Sequence, residues 1–177
     1  MVSNKPRTVT AVTQQVWFMC TDACFDMSAG TGGLGGVLVD PQGSPVSWFC
    51  HSMDSHFCQQ YMREEQQHAI GELEALAVLA GLRLWQVQLE SKHCVCFIDN
   101  QGSRFAILKG YSSNVTISKV AECIALLEEQ RCILCWYARI PSSSNLADAP
   151  SRATGHPLLP EHLRCNLPAD ALSLEDS

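Results

Sequence analysis

Apolar residues in the first third of the chain fall into short runs that are separated by turn residues. Residues 16–22 form an apolar run that ends in Asp22 and predicts a buried strand. Residues 37–39 and 46–50 predict two more strands, because the Asp-Pro-Gln-Gly sequence between them is typical of a turn. The glycine-rich residues 28–36 predict a flexible turn before the second strand. Three strands joined by short turns favour an antiparallel meander.

The hydrophobic pattern changes to a helical period in the middle of the chain. Residues 65–90 are rich in Ala, Leu, Glu and Gln and contain no Pro, which predicts a long helix. Residues 94–99 and 132–138 predict a fourth and a fifth strand, and the fourth again ends in an aspartate. Further helices are predicted at 101–110, with Gly110 as its end, at 116–130 and at 146–152.

This order of elements, β-β-β-α-β-α-β-α, predicts an α/β protein with a five-stranded mixed sheet and helices on its faces. The first three strands are expected to pair antiparallel, whereas the last two follow helical crossovers and should run parallel to the first. We expect one domain over residues 14–153, preceded by a polar arm at 1–13. Residues 154–177 contain several prolines and an acidic end, and they predict a loose tail.

Carboxylates at the ends of two predicted strands are the first candidates for chemistry. Asp22 follows the first strand and Asp99 the fourth, and parallel neighbours place such residues at the same edge of a sheet. The long helix adds Glu72 and Glu74. Helix geometry places Glu74 on the apolar face that contains Val78, whereas Glu72 falls on a polar stripe that we expect to be solvated. A carboxylate on an apolar face is costly unless something binds it, so Glu74 is the better candidate.

A fourth carboxylate, Asp148, begins the last short helix, where it could also serve as a capping charge. Oxygen ligands of this kind suit Mg²⁺, which is hard and binds both carboxylates and substrate phosphates. Two such ions about 4 Å apart can activate a water and stabilise the leaving oxygen of a phosphodiester. The four carboxylates therefore predict a site for divalent cations.

Four segments of the sequence resemble motifs of the ribonuclease H family. They are Thr21-Asp22-Ala23 before the glycine-rich turn, residues 70–79 with Glu74, residues 97–100 with Asp99, and residues 139–152 with Asp148. The last segment, Arg-Ile-Pro-Ser-Ser-Ser-Asn-Leu-Ala-Asp-Ala-Pro-Ser-Arg, is the most specific. It resembles the end of the ribonuclease H domain in retroelement reverse transcriptases. The resemblance runs from about residue 14 to 153.

The resemblance implies the ribonuclease H fold and hydrolysis of the RNA strand of an RNA–DNA hybrid. It implies two Mg²⁺ ions, which Mn²⁺ could replace, and as their ligands Asp22, Glu74, Asp99 and Asp148. The residues that it places near the hybrid are Gly32, Gly33, Gly35, Asn100 and Arg139. Recognition of a hybrid rests on its shape and its 2′-hydroxyls. The resemblance also implies a retroelement polyprotein, with an upstream reverse transcriptase domain as a partner.

Three features depart from the family pattern. Arg139 occupies the place where many members have a histidine that assists proton transfer or product release. The net charge is −6 and no basic arm is visible, which argues against a protein that holds nucleic acid mainly by a basic face. No Tyr-x-Asp-Asp polymerase motif occurs, so we expect an excised domain or a fragment. A catalytically weak or inactive structural or interaction module with this fold stays open as the alternative.

The cysteines and the apolar runs bear on the compartment. Ten cysteines are many for 177 residues, and they lie mostly in apolar runs. Because no secretory signal is visible, we expect reduced, buried thiols in an intracellular protein of the cytoplasm or nucleus. Cys132 and Cys135 have zinc-like spacing but no second such pair, so we expect no zinc site. No apolar run approaches the ~20 residues of a membrane-spanning helix, and no membrane partner is expected.

Two other enzyme classes fit the sequence less well. Residues 30–35 match the dinucleotide-binding pattern G-x-G-x-x-G, but that site needs a helix next, and the following residues predict a strand. A 3′–5′ exonuclease of the same superfamily would usually show Asp-x-Glu at the first strand, where this chain has Asp22-Ala23-Cys24.

Overall fold

A computed structural model describes residues 15–59, 70–154, 156 and 158–174 of the chain. Its strands are β1 (Val16–Asp26), β2 (Thr31–Val39), β3 (Pro45–Met53), β4 (His93–Ile98), β5 (Leu134–Arg139) and β6 (Arg164–Cys165). Its helices are α1 (Ser55–Gln59), α2 (Ile70–Leu84), α3 (Gln86–Leu89), α4 (Gln101–Lys109), α5 (Val115–Arg131) and α6 (Asp148–Ser151). Short 3₁₀ turns lie at Ser142–Ser144 and Glu161–Leu163.

One mixed sheet, with the strand order β5-β4-β1-β2-β3-β6, organises these elements. The strands β1, β2 and β3 pair antiparallel, and β4 and β5 run parallel to β1, as predicted. The α/β class is therefore confirmed. The predicted count of five strands was one too few, because β6 adds a short parallel pair beside β3. Its two residues lie in a segment without a clear strand pattern.

The two faces of the sheet contribute to separate cores, because successive strand residues point to opposite sides. Met19 belongs to the larger core, in which α2 packs on β1 and β2. Cys20, the next residue, belongs to a smaller core, and α6 packs against β1, β2 and β3. The last predicted helix, α6, thus lies on the sheet close to the end of β1.

The glycine-rich segment is strand β2 and not the flexible turn that we predicted. The turn occupies residues 27–30, where Gly30 has a positive φ of 67°. The glycines of β2 are required by close packing. A Cβ atom at Gly33 would overlap the carbonyl oxygen of Ser151, and one at Gly35 would overlap its amide nitrogen. The missing side chains therefore let α6 lie directly on the sheet.

The helix α2 is buried on all sides, because it packs on the sheet and also against α5 and α4. Every residue from Glu72 to Leu82 is buried. The helix is shorter than the predicted 65–90, of which residues 65–69 lie outside the described residues. It is interrupted at Trp85, whose backbone is not helical and whose indole Nε1 donates a hydrogen bond to Ser47 Oγ at 3.0 Å.

The C-terminal segment is packed and not the loose tail that we predicted. The indole Nε1 of Trp48 donates a hydrogen bond to the carbonyl oxygen of Pro160 at 2.9 Å. Leu159 and Ala171 are buried. The guanidinium of Arg83 donates to the carbonyl oxygens of three residues in the segment, namely Asp170, Ala171 and Ser173. These contacts tie residues 158–174 to β3 and α2.

All ten cysteines are free thiols, and four of them are fully buried: Cys20, Cys58, Cys94 and Cys96. Most of the others are partly buried, and Cys132 is exposed. Among the helices of the described residues, none has the length and apolar character needed to cross a bilayer. The predicted arm at residues 1–13 lies outside the described part of the chain.

Candidate active site

Asp22 and Asp99 lie side by side on two neighbouring parallel strands, Asp22 within β1 and Asp99 directly after β4. The register pairs Cys20 of β1 with Phe97 of β4, and it reaches Asp22 and Asp99 two residues further along. β4 ends at Ile98, whereas β1 continues to Asp26, so Asp22 lies within its strand and does not end it as predicted. Asp22 is 4% exposed, and Asp99 is half-buried.

Glu74 brings a third carboxylate to this edge from α2, where it lies on the apolar face as predicted. Only 7% of its surface is exposed. Burial, followed by the negative charges of Asp99 and Asp22, raises the pKa of Glu74 to about 9. Burial is also the main cause that raises the pKa of Asp22 to about 6, and the charges of Asp99 and Asp148 act in the same direction. These carboxylates therefore interact electrostatically.

Asp148, the fourth candidate, lies at the start of α6 and is half-buried. Its Oδ1 accepts a hydrogen bond from Arg152 Nε at 3.1 Å, which forms an ion pair within the helix. Ser151, which directly precedes Arg152 in α6, is buried, and its hydroxyl donates to Asp22 Oδ2 at 2.6 Å. The structure therefore links α6 to Asp22 by a short hydrogen bond.

Glu72 is buried, which contradicts our prediction that it lies on a solvated stripe of the helix. Its side chain is only 3% exposed. The side-chain amide of Asn114 donates a hydrogen bond to Glu72 Oε1. The helical-wheel argument failed because α5 covers the side of α2 that the sequence alone left facing water. Glu72 thus connects two helices.

The residues expected near a hybrid differ in their surroundings. Gly33 and Gly35 are buried beneath α6, and Gly32 is half-buried. Their expected place near the backbone of a hybrid stays a prediction. Asn100 lies beside Asp99, where its side chain accepts a hydrogen bond from Ser103 N and caps α4. Arg139 is exposed at the end of β5, and its register partner is Ile98, one residue before Asp99.

The donor atoms of this cluster fit a divalent cation in their chemistry. Glu74 Oε2 and Asp99 Oδ1 are buried and have no hydrogen-bond partner among the described residues. Buried polar atoms of that kind call for a partner, and hard cations bind carboxylate oxygens. Within the described ranges, no three His, Cys, Asp or Glu side chains are grouped tightly enough to hold a metal ion as they stand. One oxygen of Asp148, Oδ1, is already paired with Arg152 Nε.

Three residues of the segment after β5 were not singled out from the sequence, although all three lie in the motif at 139–152. Ser151 holds Asp22, as described above, and the hydroxyl of Ser142 donates to Asp99 Oδ2 at 2.8 Å. The side-chain amide of Asn145 donates to the carbonyl oxygen of Thr21 at 2.9 Å. Serine and asparagine are common in loops, so only the three-dimensional contacts distinguish these residues from ordinary loop residues.

Comparison with known proteins gives a match in structure only. No protein-family model matches the chain, and no curated protein sequence matches it significantly. The N-terminal RNase H domain of a Mycobacterium tuberculosis protein matches with a TM-score of 0.62 at 15% identity, over 78% of this chain and 91% of that one. The chain has the ribonuclease H fold. The fold implied by the sequence motifs is therefore confirmed.

Two further structures with the ribonuclease H fold match over a similar extent. A ribonuclease H1 from a compost metagenome, solved in complex with an RNA/DNA hybrid, has a TM-score of 0.60 at 17% identity and covers 78% of this chain and 95% of its own. A foamy viral protease-reverse transcriptase, solved in complex with double-stranded DNA, has a TM-score of 0.53 at 11% identity. The match covers 79% of this chain and 93% of that one.

Proposed function

We propose that this chain is a metal-dependent endonuclease that hydrolyses the RNA strand of RNA–DNA hybrids. The observation that carries the proposal is the cluster of interacting carboxylates around Asp22 in β1 and Asp99 after β4, within a ribonuclease H fold. Placing three or four acids together is unfavourable for a fold without a partner for their charge. A purely structural module would gain nothing from this arrangement.

The chain's own residues have distinct roles in this proposal. Asp22, Glu74, Asp99 and Asp148 would hold two Mg²⁺ ions, whose chemistry is to activate a water and to stabilise the leaving 3′-oxygen or phosphate oxygens. Asn100 and Arg139 would contact the backbone of the hybrid. The guanidinium group of an arginine binds phosphate but does not act as a base as a histidine can, so Arg139 would contribute binding and no proton transfer. Slow turnover is therefore part of the proposal.

The proposal includes a retroelement origin, with an upstream reverse transcriptase domain as a partner. The sequence of residues 139–152 supports it, because that motif resembles the end of the ribonuclease H domain in such polyproteins. The fold of a foamy viral protease-reverse transcriptase, which is similar to that of this chain, is consistent with this origin. Activity measured on the chain alone and after addition of a reverse transcriptase domain would test the partnership.

The deciding experiment is a cleavage assay with a hybrid whose RNA strand is labelled. We expect products with 5′-phosphate and 3′-hydroxyl ends in the presence of Mg²⁺, and no cleavage after chelation. Duplex RNA and duplex DNA of the same sequence should stay intact. Asp99→Asn should abolish cleavage, whereas Glu122→Gln, which changes an exposed acid on α5, should leave it unchanged. A wild-type protein that binds the hybrid without cutting it in Mg²⁺ or Mn²⁺ would favour the inactive module.

A further inference from the structure

Two serines of the segment that follows β5 each donate a hydrogen bond to one of the aspartates of the cluster. Ser142 Oγ lies 2.8 Å from Asp99 Oδ2. Ser151 Oγ lies 2.6 Å from Asp22 Oδ2. In both pairs the serine contacts one carboxylate oxygen, and for Asp99 the other oxygen, Oδ1, is buried without a partner among the described residues. A serine hydroxyl thus donates to one carboxylate oxygen of each aspartate, Asp22 in β1 and Asp99 directly after β4.

The segment that carries these serines is fixed against the sheet. Ser151 is 2% exposed, and its amide N donates to the carbonyl oxygen of Ala147 at 2.9 Å. Its backbone lies so close to β2 that Gly33 and Gly35 have no room for a Cβ atom. Asn145, also buried, donates to the carbonyl oxygen of Thr21, the residue before Asp22. The position of the Ser151 hydroxyl is therefore set by the fold, whereas Ser142 lies exposed in the 3₁₀ turn at Ser142–Ser144.

We propose that Ser142 and Ser151 are positioning residues that determine which oxygens of Asp99 and Asp22 are available to a cation. This inference rests on the proposed function. A hydroxyl that donates to one oxygen restricts rotation of the carboxylate and leaves the lone pairs of the second oxygen for a metal ion. Hydrogen bonds of this type to metal ligands orient them, and their loss typically lowers metal affinity about 10- to 100-fold.

The inference predicts a specific change in Mg²⁺ binding. Ser142→Ala should raise the Kd of the hybrid-free protein for Mg²⁺ about 10-fold, and Ser142→Thr, which keeps the hydroxyl at an exposed site, should restore it. Ser151→Ala should have an effect of the same size or larger, because that hydroxyl is buried and its hydrogen bond is shorter. Ser143→Ala is the matched control, since Ser143 is an exposed neighbour of Ser142 in the same 3₁₀ turn.

The experiment is calorimetric titration of the full chain with MgCl₂, combined with the Mg²⁺ dependence of hybrid cleavage. The expected result is a higher Kd for Mg²⁺, and a cleavage rate that recovers toward wild type when Mg²⁺ is raised. Thermal melting without metal identifies variants that only destabilise the fold. A lower Tm with unchanged Mg²⁺ affinity would show that the serines are structural and would overturn the inference.

Failure of this inference and failure of the proposed function give different results. If the wild type binds Mg²⁺ and cleaves the hybrid while Ser142→Ala and Ser151→Ala bind Mg²⁺ equally well, only the positioning role is refuted. If the wild type neither binds Mg²⁺ nor cleaves, the proposed function is refuted, and the positioning role is refuted with it.

Discussion

Two glutamates of α2 that are only two residues apart lie in surroundings of opposite kinds. Glu72 is 3% exposed and accepts a hydrogen bond from the neutral amide of Asn114, whereas Glu74 is 7% exposed and faces the charges of Asp99 and Asp22. The two residues are thus almost equally buried. Burial alone therefore does not indicate a functional acid, but burial among like charges with an oxygen left unpaired does.

The Glu72 region is an example of a buried acid with a structural role. Asn114 uses both ends of its side chain: its amide group donates to Glu72, and its Oδ1 accepts from Ile117 N at 3.1 Å and so caps α5. This arrangement joins two helices through one residue. Glu74 also interacts with a side-chain amide, that of Asn100, but it faces the charges of Asp99 and Asp22 as well. Its Oε2 has no hydrogen-bond donor among the described residues.

The largest effect is expected for the loss of the Glu74 charge. Glu74→Gln should lower hybrid cleavage by about 10³-fold or more, because several kcal/mol of charge stabilisation would be lost and each 1.4 kcal/mol is tenfold. The metal-free protein should keep its fold or melt at a higher temperature, since a buried anion is removed. Steady-state cleavage and circular dichroism check both parts. Unchanged cleavage by Glu74→Gln would remove the contrast between the two regions.

The Glu72 region should show the reverse behaviour. Glu72→Ala should lower the free energy of unfolding by about 1–3 kcal/mol, because the partly buried amide of Asn114 loses its partner. The cleavage rate of the folded fraction should stay within about twofold of wild type. Urea denaturation and single-turnover cleavage test this expectation. Loss of cleavage with full stability would mean that Glu72, and not Glu74, belongs to the site.

The pH dependence of melting should separate the acids further. The pKa of Glu74 is raised from 4.5 to about 9, so between these values the folded state binds more protons than the unfolded state. The free energy of unfolding of the metal-free protein should therefore fall as pH rises from about 5 to 9. Burial also raises the pKa of Glu128 to about 8, and Tyr137 donates to its Oε1 at 2.7 Å, so Glu128 contributes in the same direction.

Mg²⁺ distinguishes these two contributions to the pH dependence. Saturating Mg²⁺ should remove the part due to Glu74, together with the part that Asp22 contributes below about pH 6, and leave the part due to Glu128, which lies near β5 and not among the candidate ligands. Melting curves of the wild type, Glu74→Gln and Glu128→Gln at pH 5, 7 and 9, with and without Mg²⁺, measure both parts. An equal effect of Mg²⁺ on the wild type and on Glu74→Gln would contradict the assignment.

The smallest effect concerns Arg139. The side chain of Arg139 is exposed, and exposed ion pairs contribute at most about 1 kcal/mol. Arg139→Ala should therefore weaken hybrid binding by no more than about fivefold. Arg139→His should raise the cleavage rate at saturating substrate, since a neutral histidine can accept a proton near pH 7. Binding titrations and single-turnover rates check this. Wild-type affinity and rate in Arg139→Ala would show that this residue does not reach the hybrid.

The strands and the acids could be predicted from the sequence because they depend on local patterns. Asp22 and Asp99 follow apolar runs, and the order of elements alone placed those runs in parallel neighbouring strands. Glu72 could not be predicted, because its burial depends on α5, which is more than 30 residues away in the sequence. The glycines of β2 were misread for the same reason: their composition indicates flexibility, and only the contact with α6 shows that they provide space.

The packing of the C-terminal segment could not be predicted from the sequence because its contacts are dispersed. Single residues such as Leu159 and Ala171 are buried, and the rest of its attachment consists of backbone carbonyls that accept from Arg83. Because every residue has a backbone carbonyl, the sequence does not show which of them accept such hydrogen bonds. The scattered prolines and polar residues therefore predicted a loose tail, although the segment is part of the fold.

The attachment of β6 has a consequence for the association of this protein with itself. Without residues 158–174, β3 would be the edge strand of the sheet, with unpaired backbone groups beside the apolar surface of Trp48. Edges of this kind readily pair with strands of other molecules and lead to aggregation. A chain shortened after Ala153 should therefore keep its acidic cluster and yet lose solubility. We therefore expect the segment that contains β6 to protect this edge of the sheet from aggregation.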